Sequence, residues 1–357
     1  MNDLDTLFRI AKSLLIQLIE TPSISGEEDK TADILERFFY LNSFEPQRIG
    51  NNIIVRNNKF SEAKPTILLN SHHDTVKPAN GWNEPYKAIE KDGKIFGLGS
   101  NDAGAPLVSL IAAFLYFDLQ ENLPFNLLFI ASAEEEVSGA GGLELVMKEL
   151  QEPIYCAIVG EPTSMRMAVA EKGLLVLDCT ALGVAGHAAH DTGENALYKA
   201  VDDIQKLRSF EFPHKSDFLG AVKTTVTMIQ AGTQHNVIPV ECTFTVDVRS
   251  NECNTNAEIL HILEKELSPT IVKARSLRLN SSKIELSHPL VQAAERIGLE
   301  LFGSPTMSDQ VFLPTIPSVK IGPGDTLRSH TANEFIFESE IQQGIETYIR
   351  LLENLQI

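Results

Sequence analysis

Cysteine is scarce in this chain, with four in 357 residues. They are Cys156, Cys179, Cys242 and Cys253, and none stands at a CxxC or other metal-ligand spacing, which speaks against a thiolate-built metal site. Three of them lie in apolar, strand-like runs, where a free cysteine is a small buried hydrophobe. A reducing, cytoplasmic compartment is therefore expected. Positive charge is also short. Thirty Lys and Arg face 48 Asp and Glu, giving a net charge of −18 and a pI near 4.9. That balance argues against nucleic acid and anionic membranes as partners. No apolar run approaches a membrane span. The opening MNDLDTLFRIAK carries acids early and has no basic n-region before a continuous apolar segment, so no signal peptide is expected. Repeats and low-complexity tracts are absent too. What is present is a globular composition, 43% hydrophobic and 22% charged, at a length that suggests two domains.

The order of patterns supports that division. Leu4, Leu7, Phe8, Ala11, Leu14, Leu15, Leu18 and Ile19 recur at helical spacing, and Thr21-Pro22 ends that helix. Ser25 and Glu28 read as a capping box for a helix over 27–41. Apolar runs at 52–56, 66–70, 126–132 and 154–159 read as strands, and 103–118 and 140–150 as helices. This alternation predicts an α/β fold with a mainly parallel sheet flanked by helices. The pattern changes near Gly173. Strands at 174–182, 222–231, 237–249 and 271–280, with helices at 195–209 and 255–267, give the order βαββαβ of a ferredoxin-like unit. A helix at 289–302, an apolar segment at 315–321 and a last helix at 338–355 resume the first pattern. The expected organisation is a discontinuous domain, 1–173 and 284–357, with a smaller α+β domain, 174–283, inserted into it.

Isolated His, Asp and Glu residues follow the strand-like runs of the larger domain, in SHHDTV (71–76), SNDAG (100–104), AEEEV (133–137), GEPT (160–163) and SHTANE (329–334). In open α/β sheets the C-terminal strand edge is where ligands bind. Imidazoles and carboxylates converging there suit divalent cations. On an extended segment His72 and Asp74 face the same way, so Asp74 can fix the imidazole tautomer of His72. His73 faces away and reads as structural. FGLGSNDAG invites a dinucleotide reading, but Asp102 stands where the third glycine belongs and would repel a pyrophosphate. Asp102 is either a helix cap or a carboxylate shared between two metals. Three adjacent glutamates, 134 to 136, repel one another unless cations neutralise them. Alone, such a run is more often a solvated charge cluster. Glu161 ends an apolar strand, and His330 lies in a late glycine-rich loop.

Taken in order, H-x-D, D, E-E, E and H resemble the co-catalytic di-zinc peptidase and deacylase family. It includes acetylornithine deacetylase, succinyl-diaminopimelate desuccinylase, carboxypeptidase G and the aminoacylases. The resemblance covers nearly the whole chain. It implies two Zn²⁺, with Co²⁺ as a substitute, one held by His72, Asp102 and Glu161 and the other by Asp102, Glu136 and His330. It makes Asp102 the bridge, Asp74 the partner of His72 and Glu135 the general acid/base, and it implies a cis peptide at Asp102-Ala103. Leu98, Ala103-Gly104 and Glu134, the last standing where many relatives have Asp, depart from the family pattern. The inserted domain resembles the family's lid and dimerisation domain. The resemblance therefore implies a homodimer, with His187 of GVAGHAAHDTGENA reaching a neighbouring subunit's active site as an oxyanion donor. A satisfied loop histidine is the plainer reading. GTQHNVIP and DVR match lid segments that meet substrate, which makes Asn236 and Arg249 candidates for substrate binding, although Arg249 serves equally well as a structural sheet residue.

The versions of these motifs look most like acetylornithine deacetylase-type enzymes of arginine biosynthesis. The expected substrate is an N-acyl amino acid, with acetyl or succinyl on ornithine or citrulline. A succinyl-diaminopimelate desuccinylase and a di- or aminopeptidase are the alternatives. A reading of a different class is a catalytically inactive binding or scaffold homologue, against which the intact set of polar residues argues.

Overall fold

The computed structural model describes residues 3–190 and 192–357. The chain divides into two compact units. One comprises the residues up to Val169 together with Lys283–Phe302 and Ser308–Ile357. The other comprises Ala170–Ser282 and Gly303–Met307. Sequence patterning puts the boundaries at 173/174 and 283/284 and has no signal for the short return at 303–307.

The first unit opens with α1 (Leu4–Ile19) and α2 (Asp29–Leu41). Asp3 caps α1 through its side chain, and the apolar stripe Leu7, Ala11, Leu14, Leu15, Leu18 is buried. The strands β1 (Gln47–Ile49), β2 (Asn52–Arg56) and β3 (Thr66–His72) follow, then the hairpin β4 (Ile89–Lys91) and β5 (Lys94–Phe96). Asp92 and Gly93 turn that hairpin at positive φ, as a two-residue hairpin loop requires. Next come α3 (Ala105–Asp118), β6 (Asn126–Ser132), α4 (Leu143–Glu149), β7 (Ile154–Val159) and β8 (Met167–Glu171). The helix α3 is buried almost all round and packs on α1.

The second unit is built from β9 (Gly173–Leu182), α5 (Ala196–Ser209), β10 (Lys223–Ala231), β11 (Glu241–Ser250), α6 (Asn256–Glu266) and β12 (Ile271–Ala274). Its sheet order is β10-β11-β9-β12, antiparallel throughout, which is the ferredoxin-like arrangement. Along β9 buried residues alternate with more open ones, and Leu175, Leu177, Cys179, Phe244, Val246 and Ile259 belong to one core. The strand β10 lies at the edge and is exposed along most of its length.

The chain returns through β13 (Ser282–Lys283), α7 (Pro289–Arg296), β14 (Leu301–Ser304), β15 (Ser318–Lys320), β16 (Phe335–Phe337) and α8 (Glu338–Glu353). The large sheet runs β1-β2-β6-β3-β7-β15-β8-β13, and β14 pairs with β8 off that path. Its centre, β6-β3-β7-β15, is parallel, and the flanks are antiparallel. Among the described residues no helix is long and apolar enough to cross a membrane.

Several element bounds differ from the sequence reading. The helix after 289 stops at Arg296 because Gly298, at φ +79°, closes it. Leu299 N–H donates to Ala294 O and Gly298 N–H to Glu295 O, the paired bonds of a Schellman cap. The last strand of the second unit ends at Ala274, and β11 starts only at Glu241. Ser25 and Glu28 form no capping box: Glu28 caps α2 without a side-chain bond, and the Ser25 hydroxyl donates to Asp74 instead.

Candidate active site

Four parallel strands aim their C-terminal ends at one edge of the large sheet. His72 is the last residue of β3 and is paired in register with Ser132 of β6. Glu134 to Glu136 follow β6, Glu161 follows β7, and the segment carrying His330 follows β15. Asp102 lies in the turn Ser100–Gly104 that feeds α3, and the Asp102-Ala103 peptide there is cis. Strand ends and a helix start place all of these residues except His330, which comes from a loop, so most of the convergence follows from parallel topology.

The side chains form two overlapping groups. His72, Asp102 and Glu161 present ligand atoms within 4.8 Å of one another, and so do Asp102, Glu136 and His330. Asp102 belongs to both. Its Oδ1 lies 3.3 Å from His72 Nε2, and its Oδ2 lies 3.7 Å from His330 Nε2. Glu161 Oε1 stands 3.7 Å and Glu135 Oε2 3.9 Å from His72 Nε2. His330 Nε2 meets Glu136 Oε2 at 2.9 Å. The three adjacent glutamates are separated by geometry. Glu134, at φ +53°, turns its carboxylate to accept Gly141 N–H, while Glu135 and Glu136 face the imidazoles.

Asp74 does more than its position suggests. His72 Nδ1 lies 3.0 Å from the Asp74 carbonyl and 3.4 Å from its carboxylate. A carbonyl only accepts, so Nδ1 carries the hydrogen and Nε2 is left to face the cluster. The carboxylate meanwhile accepts from Glu135 N–H at 3.1 Å, Glu136 N–H at 3.2 Å and the Ser25 hydroxyl at 2.7 Å. It therefore holds the turn that presents both glutamates. His73 is buried and structural: its Nε2 donates to Asn51 O, and Nδ1 accepts the Thr31 hydroxyl. Burial lowers its pKa to about 4, so it stays neutral.

The electrostatics show an excess of negative charge. Burial and the neighbouring carboxylates raise Glu135 well above the carboxylate range, and burial raises Glu161 to about 8. Burial also raises Glu136, against the pull of His330. The Glu136 contact raises His330 to about 9. Burial pulls His72 down, but contacts with Asp102 and Asp74 outweigh it and hold it well above its ordinary value. Four carboxylates gathered around two imidazoles thus compete for protons. Two divalent cations would relieve that competition, and an N/O donor set of this kind suits zinc. The residues fit such a pair.

Three further residues support the cluster, and sequence reading assigned none of them a role. Glu334 is buried and accepts from the backbone N–H groups of Gly99, Asn101 and Asp102. It lies within the SHTANE stretch, so its proximity to His330 was the available signal. Asp309, also buried, accepts the Ser132 hydroxyl at 2.5 Å, and burial raises it to about 6. Lys320 is buried on β15, and its charge moderates the rise at Glu161. Neither Asp309 nor Lys320 stood in a motif.

The remaining candidates lie in the second unit. His187 is exposed, and its Nδ1 accepts Ala189 N–H. The Asn236 carbonyl accepts Ala188 N–H, and a bridge joins His187 to Val237, so these two loops sit side by side. The guanidinium of Arg249 is engaged by Asp247 through two hydrogen bonds of 2.9 and 3.1 Å.

Residues 68–354 match the model of peptidase family M20/M25/M40. A succinyl-diaminopimelate desuccinylase of Wolbachia pipientis wMel is 25% identical over 95% of this chain and 91% of its own length. A [LysW]-lysine/[LysW]-ornithine hydrolase of Sulfurisphaera tokodaii is 28% identical over 97% of this chain and 96% of its own. Among solved structures, the YXEP protein of Bacillus subtilis, described as a dinuclear metal-binding peptidase of the M20 family, superposes with a TM-score of 0.75. It is 16% identical, and the match covers 98% of each chain.

Proposed function

Because this chain belongs to peptidase family M20/M25/M40, metallohydrolases that act on amides, we propose that it releases a diamino acid from an N-acyl precursor. The observation that carries the reading is the pair of triads sharing Asp102, with Glu135 beside them. His72, Asp102 and Glu161 would hold one Zn²⁺, and Asp102, Glu136 and His330 the other, with Co²⁺ as a substitute. Bound there, the cations supply Lewis-acid polarisation of the amide carbonyl and acidify a water. Glu135 takes the proton of the attacking water and returns it to the departing amine. Asp74 fixes the tautomer of His72 and the turn of Glu135.

The amine halves named in the two relatives are diaminopimelate, lysine and ornithine, all diamino acids. That supports ornithine or a close analogue here, with acetyl or succinyl as the acyl group. The desuccinylase relative gives the succinyl version its own support. Four free cysteines suit a cytoplasmic enzyme. The open edge of β10, with Met228 and Ile229 exposed, supports homodimerisation through the inserted unit. In such a dimer His187 would serve the other copy's site as an oxyanion donor, and Asn236 would contact substrate there. Arg249, already paired with Asp247, has the weaker claim to substrate.

Glu135→Gln tests the chemistry. Turnover should fall by about 10²–10⁴-fold with metal content unchanged. Unaltered turnover would remove Glu135 from the mechanism. A panel of N-acetyl and N-succinyl ornithine, citrulline, lysine and diaminopimelate, run beside simple dipeptides, tests the substrate. A preference for dipeptides would make the protein a peptidase and sink the deacylase reading.

A further inference from the structure

The two proposed cation positions are built differently. His72 ends a central strand and is 1% exposed, and Glu161 follows the neighbouring central strand, so the sheet itself builds that position. His330 comes from a loop, at φ +59°, and its side chain is 54% exposed. Its place depends on what holds the loop.

Arg328 anchors the loop to Glu340 through two hydrogen bonds, and a further set of hydrogen bonds ties it to the turn of Asp102. Glu334, 2% exposed, accepts from Asn101 N–H at 2.8 Å and Asp102 N–H at 2.9 Å through Oε1, and from Gly99 N–H at 3.2 Å through Oε2. Its own carbonyl accepts Gly97 N–H at 3.1 Å. Asn101, fully buried, reaches the other end of the loop. Its Nδ2 donates to Asp325 O at 3.1 Å and to Ser329 Oγ at 3.4 Å, and its Oδ1 accepts Asp325 N–H at 3.0 Å. Gly324, at φ +92°, makes room for this pairing, since a Cβ there would lie 2.4 Å from Asn101 Oδ1. These bonds thus pin the loop on both sides of His330, and both pins attach to the turn that carries Asp102, one of them to the Asp102 N–H itself.

We propose that Glu334 and Asn101 are positioning residues that fix His330 against Asp102 and thereby set the affinity of the Asp102–Glu136–His330 position more than that of the sheet-built one. The proposal rests on the two-cation reading above. Neither residue needs to touch a cation. Each acts through backbone groups, and loss of either should free the loop while His72 and Glu161 stay in place.

The test is a Zn²⁺ titration of the metal-depleted full chain, by calorimetry or chelator competition, resolving two binding events. In Glu334→Ala the weaker event should weaken further by tenfold or more, while the tighter one shifts by less than about threefold. Glu334→Gln should show a smaller loss, because the Gln carbonyl can still accept from Asn101 and Asp102 while its amide faces the Gly99 N–H. Asn101→Ala should also weaken the second event selectively, and these two variants carry the test if Glu334→Ala does not fold. Two unchanged affinities would overturn the proposal and leave the two-cation reading intact. An equal fall in both, matched by a lower melting temperature of the metal-free protein, would reduce Glu334 to a general structural role and also overturn it. A wild-type chain that takes up no Zn²⁺ would overturn both.

Discussion

At the scale of single residues, the site depends on which atom each side chain has left for the cluster. His72 spends Nδ1 on Asp74, and His73 spends both nitrogens on Asn51 and Thr31, so two adjacent histidines take opposite roles. The spacing of SHHDTV already suggested this, because successive residues of a strand face opposite ways. It did not show that the Asp74 carboxylate serves the glutamate turn, since that contact joins residues 61 and 62 positions apart. A third histidine gives a pH prediction. His288 caps α7, its Nδ1 accepting Leu290 N–H at 3.2 Å, and burial lowers its pKa. The folded state therefore favours the neutral imidazole. The cap's contribution is complete above the unfolded value near 6.5 and is lost as pH falls through the lower folded value. Because the side chain is half open to solvent, the effect belongs at the low end of cap energies, about 0.5–1 kcal/mol. Urea denaturation at pH 7.5 and 5.5 should show that extra loss in the wild type and not in His288→Asn, which keeps an acceptor that does not titrate in this range. Equal pH dependence in both proteins would remove the imidazole from this role.

Among elements, helices and strands were legible wherever period and termini agreed. The bounds of α1 and β6 follow from helical spacing in one case and an apolar run in the other. The misread bounds fall where a backbone bond competes with pattern. Residues 297–302 are apolar enough to prolong a helix, yet Gly298 at φ +79° ends α7 and the chain turns into β14. A Cβ at Gly298 would meet nothing within 4 Å, so its requirement is purely conformational. Gly298→Ala should accordingly destabilise the protein by about 1 kcal/mol through the left-handed backbone alone. Chemical denaturation measures this, and a change below a few tenths of a kcal/mol would show that the cap contributes little. Ser25 illustrates the same competition. Its sequence offers a cap, but a buried carboxylate is the stronger acceptor for its hydroxyl, and Asp74 takes it.

For the whole molecule, the parallel centre of the large sheet sends four strand ends to one edge, which gathers the proposed ligands from residues as distant as His72 and His330. Cations held there would couple metal to stability. Each cation present at 100 times its dissociation constant adds about 2.7 kcal/mol to the folded state. Chelation should therefore lower the melting temperature by roughly 5 °C or more and abolish hydrolysis, and added Zn²⁺ or Co²⁺ should restore both. A chelated protein that melts unchanged would argue that cations contribute nothing to the fold. The α/β class, the βαββαβ order and the residue types gathered at the strand ends are legible in the chain alone, because periodicity and polar interruptions are local properties. Tertiary structure alone decided that Glu134 turns away while Glu135 and Glu136 face the imidazoles. It alone showed that Asp74 holds their turn and that Glu334 and Asn101 pin the loop of His330. Those assignments depend on hydrogen bonds between segments far apart in sequence, whose geometry exists only once the sheet has brought them together.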